Sequence, residues 1–485
     1  MNYQLTGHSN HYVVENTIQI FFPFEQCMAR TATELTYVES GVTPTETYAT
    51  LFVAGREVAH HRIPPTTGFY DWAVEKIADR DIKHCVYQVL ANHTGKSSPW
   101  GLLTGIRPIK LVRAINERAP GQAYTYLSQF YGVSEGKARQ AVSTYTNQQR
   151  IIDSLTPTVM EGHPSTHDVN LYINIPFCPT KCSYCSFTAY AIDYDKTERY
   201  MDALLNELTS KAELIASRRI NSVYIGGGTP TSITSEKMER LLSAITERFD
   251  LSTITEFTVE AGRPDTINER KLAVMKRYGV SRISINPQTT NPATLEALGR
   301  HHSVDDFYRA FTLARAMGFD NINTDIIIGL TGETVADVER TMQDILPLQP
   351  ENITVHTLAI KKGAKLRDVT LTGASDDLEA QARQVEAMQA MAERYLQGYE
   401  PYYLYRNKKT LGNTENIGYA KASPVAGEPS PYIANYNIQT MEDIQDIIAL
   451  GCGAVSKTVT KDGISRTANN KDLDGYLRDW LPSKV

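Results

Sequence analysis

The chain has 485 residues, more than one ordinary hydrophobic core accommodates, so we expect roughly two to four domains. A hydrophobic content of 41% and a charged content of 21% are typical of a soluble globular protein, and the net charge of −6 excludes a basic surface that covers the whole protein and binds nucleic acid. No stretch approaches about eighteen uninterrupted apolar residues, and no basic segment followed by an apolar run opens the chain, so we predict a cytoplasmic protein without a membrane partner.

The N-terminal part, residues 1–96, predicts a small α+β domain. Short β-rich runs near its start are followed by a hairpin that turns at Gly55 and then by a long amphipathic helix. Nothing in this domain identifies a function. Residues 97–168 predict a helical connector, which ends in a linker over 156–168 that is rich in Pro, Thr and His.

Residues 169–365 alternate strictly between short β-rich runs and longer helical segments. Repeated strand-then-helix units predict a parallel sheet with right-handed crossovers. Six such units are too few for a closed barrel of about eight strands, so we predict an α/β fold with an open (β/α)6 barrel, and reacting groups at the carboxyl ends of its strands. The six runs are VNLYINI, NSVYIGG, EFTVEA, SRISIN, NINTDIII and NITVHTLAI.

Residues 366–485 predict a C-terminal extension of different character. A helix over DDLEAQARQVEAMQAMAERYLQ comes first, and a stretch rich in Tyr, Asn and Gly follows it. The region closes with IIALGCGAVSK and a short helix near DLDGYLRDWL. No internal repeat is recognisable here.

Three of the six cysteines lie within eight residues at the spacing C-x3-C-x2-C, as Cys178, Cys182 and Cys185. Pro176 and Pro179 interrupt regular structure, so we predict an irregular ligand loop just past the first barrel strand, in a reducing compartment. A structural zinc takes four closed ligands and disulfides take pairs, whereas a cubane [4Fe–4S] cluster on three thiolates leaves one iron free for an external ligand. The alternatives are a zinc knuckle completed by a distant residue and an electron-transfer cluster completed by Cys452.

Further candidate residues follow the later strands. The second strand ends in GGGTP, and consecutive glycines let the backbone approach a ligand closely, although a tight strand-to-helix turn is the alternative. Asp325 lies inside an apolar run, where a carboxylate is costly to bury without partners. For each polar residue at a strand end, a structural ion pair is the alternative. The others of this kind are Glu260, Gln288 and Arg300.

The pattern C-x3-C-x-aromatic-C, with Tyr184 as the aromatic residue, resembles the signature of the radical S-adenosylmethionine (SAM) enzymes. The segments YINIPFC, GGGTPT and GYAK resemble the branch of oxygen-independent coproporphyrinogen dehydrogenases and their HemN and HemW relatives. TGIRPIKL and LYRNKKTLGNTENIGYAK resemble its HemZ-type members, so the resemblance covers most of the chain. It implies a [4Fe–4S] cluster on the three cysteines, SAM as the second cofactor, and reduced flavodoxin or ferredoxin as the electron donor.

The resemblance also implies roles for individual residues. Tyr172 and Glu260 match catalytic positions, and the glycine turn matches a motif that binds the amino group of methionine. Glu260 and Arg300 would contact the methionine end of SAM, and Gln288 and Asp325 its ribose hydroxyls, as guanidinium and carboxylate chemistry allows. The SAM-binding set implied in this way is Tyr184, Gly227, Gly228, Thr229, Glu260, Gln288, Arg300 and Asp325.

The activity that the resemblance implies is the oxidative decarboxylation of coproporphyrinogen III to protoporphyrinogen IX in heme biosynthesis. Two departures leave alternatives open: Phe187 stands where the dehydrogenases have a fourth cysteine, and YIANYN lacks the histidine of the heme chaperones. One alternative is therefore a heme chaperone without turnover, and another is a different tetrapyrrole-modifying enzyme. An RNA-modifying enzyme rests only on the basic run at Arg107, Lys110 and Arg113, and the acidic balance argues against it.

A coproporphyrinogen pocket needs cations beside aromatic surface, since the substrate carries carboxylates on a large apolar ring. YYLYRNKK supplies both, and the family's C-terminal region is expected to cover the barrel mouth. The alternative is a solvated basic loop with tyrosines packed beneath it. The residues in question are Tyr402, Tyr403, Tyr405, Arg406, Lys408 and Lys409.

Overall fold

The computed structural model describes the chain apart from residues 24, 32, 68–73, 156–167, 360–374, 408–409, 461 and 483–485. Almost all of the predicted linker lies outside the described residues. No helix in the described part of the chain is long and apolar enough to span a bilayer. The chain folds into two compact units, the first from Met1–Tyr145, Gly373–Arg383 and Leu404–Glu415, and the second from Thr146–Thr372, Gln384–Tyr403 and Asn416–Val485.

The first unit contains a sheet of four strands. They pair in the order β1-β2-β3-β4, the first pair parallel and the others antiparallel. The β3–β4 hairpin turns at Ala54 and Gly55, whose φ angles of 51° and 78° match the right-handed twist of the strands, and this confirms the turn predicted at Gly55. The strands β1 to β4 are Asn2–Thr6, Tyr37–Val42, Thr47–Val53 and Arg56–Ile63.

Helices complete the first unit and confirm its α+β character. Pro108 opens its helix at a position where a missing amide costs nothing. Trp100 is fully buried, and its Nε1 donates to Glu415 at 2.7 Å; the other oxygen of Glu415 accepts from Lys137 at 2.5 Å. The helices are His11–Phe21, Val74–Thr94, Pro108–Arg118, Ala123–Thr125 with a wider turn over Tyr126–Phe130, and Glu135–Leu155, which leads into the second unit.

The second unit holds the barrel. Six parallel strands lie side by side in the order β12-β11-β10-β9-β8-β5, and they match the six predicted runs, which confirms the open (β/α)6 barrel. The remaining strands of the chain are β5 (Asp168–Ile175), β6 (Phe177–Cys178), β7 (Tyr190–Ala191), β8 (Arg219–Gly227), β9 (Glu256–Glu260), β10 (Arg282–Ser284), β11 (Ile322–Ile328), β12 (Asn352–Thr357), β13 (Tyr399–Arg406), β14 (Glu415–Lys421), β15 (Asp446–Leu450), β16 (Val455–Thr460) and β17 (Gly463–Ala468).

Helices connect the parallel strands, and side-chain caps fix where several of them begin. Thr234 and Asn268 each accept a hydrogen bond from a first-turn amide, and Ser303 forms a reciprocal capping box with Asp306. The helices of this unit are Tyr194–Ser210, Ala212–Ala216, Ser235–Arg248, Glu269–Arg277, Pro292–Ala297, Val304–Ala316, Val335–Ile345, Asn435–Glu442 and Leu473–Trp480. The helix Ser375–Tyr395 contributes residues to both units.

The C-terminal extension adds strands to both edges of the barrel sheet, which the sequence did not predict. β14 pairs antiparallel with β12 at one edge, and β15 pairs in parallel with β5 at the other. β16 and β17 continue antiparallel beyond β15, so the full order is β13-β14-β12-β11-β10-β9-β8-β5-β15-β16-β17. The first barrel strand thus lies between β8 and a strand from near the end of the chain.

The two faces of the barrel strands differ in polarity. On one face the alternate side chains are buried aliphatic residues such as Leu171. The other face is buried but polar: Ser222 donates to Asn170 at 2.7 Å, and Thr354 donates to Asn323 at 3.1 Å. These polar side chains hydrogen-bond to one another between neighbouring strands. The candidate site lies on this polar face, toward the carboxyl ends of the strands.

Candidate functional site

The cysteine loop follows β5 and is closed at its base by a short strand pairing. β6 pairs in parallel with β7, and the amide of Tyr190 donates to the carbonyl of Pro176 at 2.8 Å. Cys178 therefore lies in a two-residue strand, so the predicted irregular loop is wrong for this cysteine, because a proline without an amide still offers its carbonyl to a partner. Cys182 and Cys185 do lie in irregular backbone.

The three loop thiols are free and lie close enough to influence one another. Burial raises the pKa of Cys178 and of Cys185, and negative charge on a neighbouring loop thiolate raises each further. The hydroxyl of Thr229, 3.4 Å from the Cys178 sulfur, acts in the opposite direction on the pKa of Cys178. Thiols that hinder one another's ionisation are suited to metal binding, since a metal displaces the protons and neutralises the charges.

Three thiols on one short loop suit a cubane cluster, in which each thiolate binds a different iron and one iron is left without a protein ligand. Across the described ranges, no group of three or more His, Cys, Asp or Glu side chains could hold a single metal ion. Cys452 is buried, and its thiol is directed at the carbonyl of Lys471, 3.5 Å from the sulfur, which disfavours it as a fourth ligand.

The predicted glycine turn after β8 packs directly against the cysteine loop. The amide of Gly228 donates to Ile175 at 2.9 Å, and the amide of Thr229 donates to Phe177 at 2.7 Å. Gly227 has a φ of 110°, and a Cβ there would overlap the side-chain oxygen of Asn174. A Cβ on Gly228 would lie 2.7 Å from the Phe177 carbonyl and 3.1 Å from the Cys178 sulfur. Glycine is required here because the turn approaches the cysteine loop so closely.

Glu260 ends β9 and lies beside a group of stacked tyrosines. The hydroxyl of Tyr224 donates to Glu260 at 2.6 Å. Burial raises the pKa of Glu260 to about 7, and the charge of Asp325 raises it, while the Tyr224 hydroxyl and the Gly227 amide limit the rise. The carboxyl group is therefore poised to change its charge near neutral pH.

The tyrosine group joins three parts of the chain. The rings of Tyr224 and Tyr436 stack with centroids 4.4 Å apart, and Tyr172 stacks on both at 6.3 and 6.2 Å. The hydroxyl of Tyr172 donates to Asn174 at 3.2 Å, and the amide of Tyr436 donates to Glu256 at 3.1 Å. Stacked rings beside Glu260 displace water from one side of the site.

Asp325, the anomalous carboxylate in an apolar run, has partners on three sides. Asn286 donates to it at 2.8 Å, Asn323 donates to it at 2.7 Å, and His356 lies 3.7 Å away on the neighbouring strand β12. Burial alone would raise the pKa of Asp325, but His356 and the other donors outweigh it and lower this pKa below its usual range. The carboxylate is thus ionised and fixed in orientation.

Gln288 combines a rare backbone conformation with a buried side-chain oxygen that has no hydrogen-bond partner. Its φ of 69° lies in the left-handed region that side chains rarely adopt, and backbone hydrogen bonds to Asp325 and Ile327 hold it there. Its side-chain oxygen is buried without a hydrogen-bond partner. A buried orphan acceptor is costly, and a hydroxyl donor from a bound molecule would satisfy it.

Arg300 is buried and ties the cysteine loop to the strand ends. Its Nη1 donates to the hydroxyl of Tyr184 at 3.1 Å, and its Nη2 donates to the carbonyls of Gly262 and Asn286 at 3.1 and 2.7 Å. Nε is buried without a partner. The predicted residues Tyr184 and Arg300 are therefore in direct contact, although one precedes the other by more than a hundred positions in the chain.

The predicted substrate-binding stretch YYLYRNKK is mostly buried where it is described. Tyr402 and Tyr403 are buried within the second unit, and Arg406 is buried within the first, where its Nη1 donates to the carbonyl of Leu103. Arg406 is therefore not part of a solvated basic loop. Lys408 and Lys409 lie outside the described residues.

Sequence reasoning missed several residues of the site. His356 could have been found, because a histidine inside the apolar run NITVHTLAI is as anomalous as Asp325 in its own run. Asn286 carried a weaker signal, two residues before Gln288. Tyr436 carried none, because it comes from a helix far along the chain that packs beside β8.

The fold and the site together define a radical SAM protein: residues 172–345 match the Radical SAM superfamily. This range contains the cysteine loop, the glycine turn, Glu260, Gln288, Arg300 and Asp325.

Among curated proteins, the chain is 39% identical to the oxygen-independent coproporphyrinogen-III oxidase-like protein HemZ of Bacillus subtilis over 415 residues, 83% of this chain and 79% of that protein. The chain belongs to this HemZ-type family within the radical SAM superfamily. It is also 36% identical to the heme chaperone HemW of Bacillus subtilis, over 39% of this chain and 50% of that protein. Its identity with the heme chaperone HemW of Escherichia coli is 28%, over 64% of this chain and 76% of that protein.

Among solved structures, the coproporphyrinogen III oxidase HemN from Escherichia coli superposes with a TM-score of 0.53 at 22% identity, over 66% of this chain and 71% of that one, so the fold is shared. The cofactors of the protein are a [4Fe–4S] cluster and SAM. Its class is that of the radical SAM proteins in the group that includes HemN, HemZ and HemW.

Proposed function

We propose that this protein oxidatively decarboxylates two propionate side chains of coproporphyrinogen III to vinyl groups, which gives protoporphyrinogen IX without molecular oxygen. The observation that carries the proposal is the 39% identity, over 79% of its length, with a HemZ protein named as coproporphyrinogen-III oxidase-like. The site agrees with this chemistry, because the thiol loop, the glycine turn and Glu260 lie at the ends of adjacent strands.

In this proposal the three loop cysteines hold the cluster and leave one iron for SAM. The glycine turn at 227–229 and ionised Glu260 bind the ammonium group of the methionine end, and the charge of Arg300 attracts its carboxylate. Asp325 accepts hydrogen bonds from the ribose hydroxyls, and the orphan oxygen of Gln288 accepts another. Tyr184 lies in the loop that would hold the cluster, and its hydroxyl accepts from Arg300 at 3.1 Å. The electron donor is reduced flavodoxin or ferredoxin.

When bound, the cluster and SAM supply a 5′-deoxyadenosyl radical, which takes a hydrogen atom from unactivated carbon. The protein's own residues hold one propionate arm with its β-carbon toward that radical, and the tyrosine rings that include Tyr172 exclude water. Each propionate then loses the hydrogen atom, carbon dioxide and one electron, which a one-electron acceptor takes, and a vinyl group remains. The proposed catalytic residues are Tyr172, one of the stacked rings, and Glu260, which accepts from another of them, Tyr224.

The test is an anaerobic assay of the cluster-loaded protein with reductant, SAM and coproporphyrinogen III. We expect protoporphyrinogen IX with two molecules of 5′-deoxyadenosine for each product. The Cys178→Ala, Cys182→Ala, Cys185→Ala triple variant should produce neither, and Cys452→Ala is the matched control that should retain both. SAM cleavage with no vinyl product, under conditions where the cluster is fully loaded, would contradict the proposed substrate.

A second candidate is heme binding without turnover, and one observation favours it. Phe187 stands where the dehydrogenases have a fourth cysteine. It lies in the loop beside Cys185 and is 67% exposed, so an apolar ligand such as heme could contact its ring. The HemW relatives are named as heme chaperones. A Soret band that appears when heme is added anaerobically, without SAM cleavage in the presence of coproporphyrinogen III, would favour this candidate over the first.

A further inference from the structure

A small polar pocket in the first unit has no role in the barrel chemistry. It is lined by the helix His11–Phe21 and the residues after it, by the loop 103–106, and by residues from the segment 406–413. The cavity volume is about 40 Å³, enough for a small polar group whose remaining atoms extend through the open mouth. Its polar lining residues are Asn16, Gln19, Thr104, Asn407, Asn413 and Arg406.

Arg406 is the only charged residue among the lining residues that the structure describes. Its side chain is buried, with 7% of its surface exposed; Nη1 donates to the carbonyl of Leu103, and Nε is buried without a partner. The guanidinium also lies over the ring of Trp100, 5.3 Å from its centroid. Burial lowers the pKa of Arg406 to about 10, and the charge of Glu415 only partly opposes this effect.

The charge of Glu415 acts on Arg406, but both oxygens of Glu415 already accept hydrogen bonds from other residues. One accepts from Nε1 of Trp100 at 2.7 Å, and the other accepts from Nζ of Lys137 at 2.5 Å. Within the described part of the chain, no carboxylate forms an ion pair with Arg406. A buried charge without a directly bonded counter-charge is costly, and a bound anion would reduce this cost.

The chemistry of the pocket favours a carboxylate. A guanidinium binds a planar carboxylate through two parallel hydrogen bonds, and one positive charge balances one negative charge. Arg406 is the one charged side chain that the described lining offers, which matches the single charge of a carboxylate. Asn413 is fixed with a φ of 51° and a hydrogen bond from its Nδ2 to the carbonyl of Ile20 at 3.0 Å, so that part of the wall is rigid before a ligand arrives.

We propose that this pocket binds the carboxylate group of a small molecule through Arg406, with the amides of Gln19 and Asn407 contacting the neighbouring atoms of the ligand. The first unit is then a second binding unit for carboxylate-bearing molecules, independent of the cluster. This proposal does not depend on the identity of the substrate in the barrel.

The experiment titrates the full-length, cluster-loaded protein with propionate and with propionamide, its neutral isostere, at constant ionic strength. Calorimetry gives the affinity, and thermal unfolding gives the stabilisation. We expect propionate to bind at least about tenfold more tightly than propionamide, since an uncharged group cannot pair with the guanidinium. Inorganic phosphate is the competing anion and should bind more weakly than propionate.

Two variants separate a binding role of Arg406 from a structural one. Gln19→Glu places a carboxylate in the pocket without removing any buried contact, so it should raise the unfolding temperature and weaken propionate binding at least tenfold. Gln122→Glu, the same change at an exposed position of the first unit, is the matched control and should bind propionate as the wild type does. Arg406→Gln should lose the preference for propionate over propionamide.

Three results would overturn the proposal. The first is equal affinity for propionate and propionamide in the wild type. The second is unchanged propionate binding in Gln19→Glu. The third is a combination of two findings: Arg406→Gln unfolds at a lower temperature than the wild type, and the wild type binds neither propionate nor phosphate. Arg406 would then have only a structural role, through its contact with Trp100.

Discussion

We predict that Tyr224→Phe shifts the pH at which the protein binds SAM. The Tyr224 hydroxyl donates to Glu260 at 2.6 Å, and this hydrogen bond opposes the effect of burial, which raises the pKa of Glu260 to about 7. A hydrogen bond to a charged group contributes about 1.5–3 kcal/mol, and about 1.4 kcal/mol corresponds to one pKa unit. Without the hydroxyl, the pKa of Glu260 should therefore rise to about 8–9.

The consequence for binding follows from the proposed contact between ionised Glu260 and the ammonium group of SAM. The wild-type protein should bind SAM well above pH 7 and lose affinity as the pH falls through the pKa of Glu260. At pH 8 a carboxyl group with a pKa of about 7 is about nine-tenths ionised, and one with a pKa of about 8–9 is about one-half to one-tenth ionised. The dissociation constant of Tyr224→Phe at pH 8 should accordingly be about two to ten times that of the wild type.

The assay is anaerobic calorimetry of SAM binding to cluster-loaded protein between pH 6 and pH 9.5. Tyr172→Phe is the matched control, since Tyr172 donates to Asn174 rather than to Glu260 and belongs to the same stack of rings. Its binding midpoint should stay near that of the wild type. If Tyr224→Phe binds SAM with the wild-type midpoint, the role given to this hydrogen bond is refuted.

Three further predictions concern the turn, the ribose contact and the cluster. Gly227→Ala should lower the free energy of unfolding by more than about 3 kcal/mol and prevent cluster loading, because the φ of Gly227 is 110° and a Cβ there would overlap Asn174. Gly279→Ala is the control: Gly279 also has a positive φ but open space around it, so the loss should be about 1–2 kcal/mol. Equal denaturation midpoints for the two variants would contradict this. Asp325→Asn should keep its iron and bind SAM about tenfold more weakly, since an amide is a poorer acceptor for two hydroxyls; an unchanged calorimetric dissociation constant would exclude this contact. Iron analysis should find the cluster lost in Cys185→Ala, and iron retained there would contradict the ligand assignment.

The barrel and its cluster loop could be predicted because their signals are local. Six β-rich runs each precede a helical segment, and a parallel sheet follows from that alternation alone. The spacing of Cys178, Cys182 and Cys185 likewise places three thiols on one short loop. Asp325 was identifiable because an ionised side chain in an apolar strand requires partners, and the structure supplies them from Asn286 and Asn323.

The remaining features depend on contacts between distant parts of the chain. The neighbours of β12 and β5 come from the C-terminal extension, and nothing in IIALGCGAVSK states which strand it will pair with. Tyr436 reaches the Tyr172 ring only because its helix packs beside β8. Arg406 was predicted in a substrate pocket from its tyrosine neighbours, but the chain turns into the first unit at that point, and its guanidinium contacts the carbonyl of Leu103.

The pairing of β5 with β15 has a consequence for how the protein is made. β5 begins at Asp168 and β15 at Asp446, so the ribosome must add 278 residues between them (446 − 168). At about 5–20 residues per second, this takes roughly 14–56 s, during which one edge of the growing barrel sheet has no partner. An unpaired parallel edge invites aggregation. Newly synthesised chains should therefore need protection by a chaperone until translation is nearly complete, and the cysteine loop can receive its cluster in a finished barrel only after that interval.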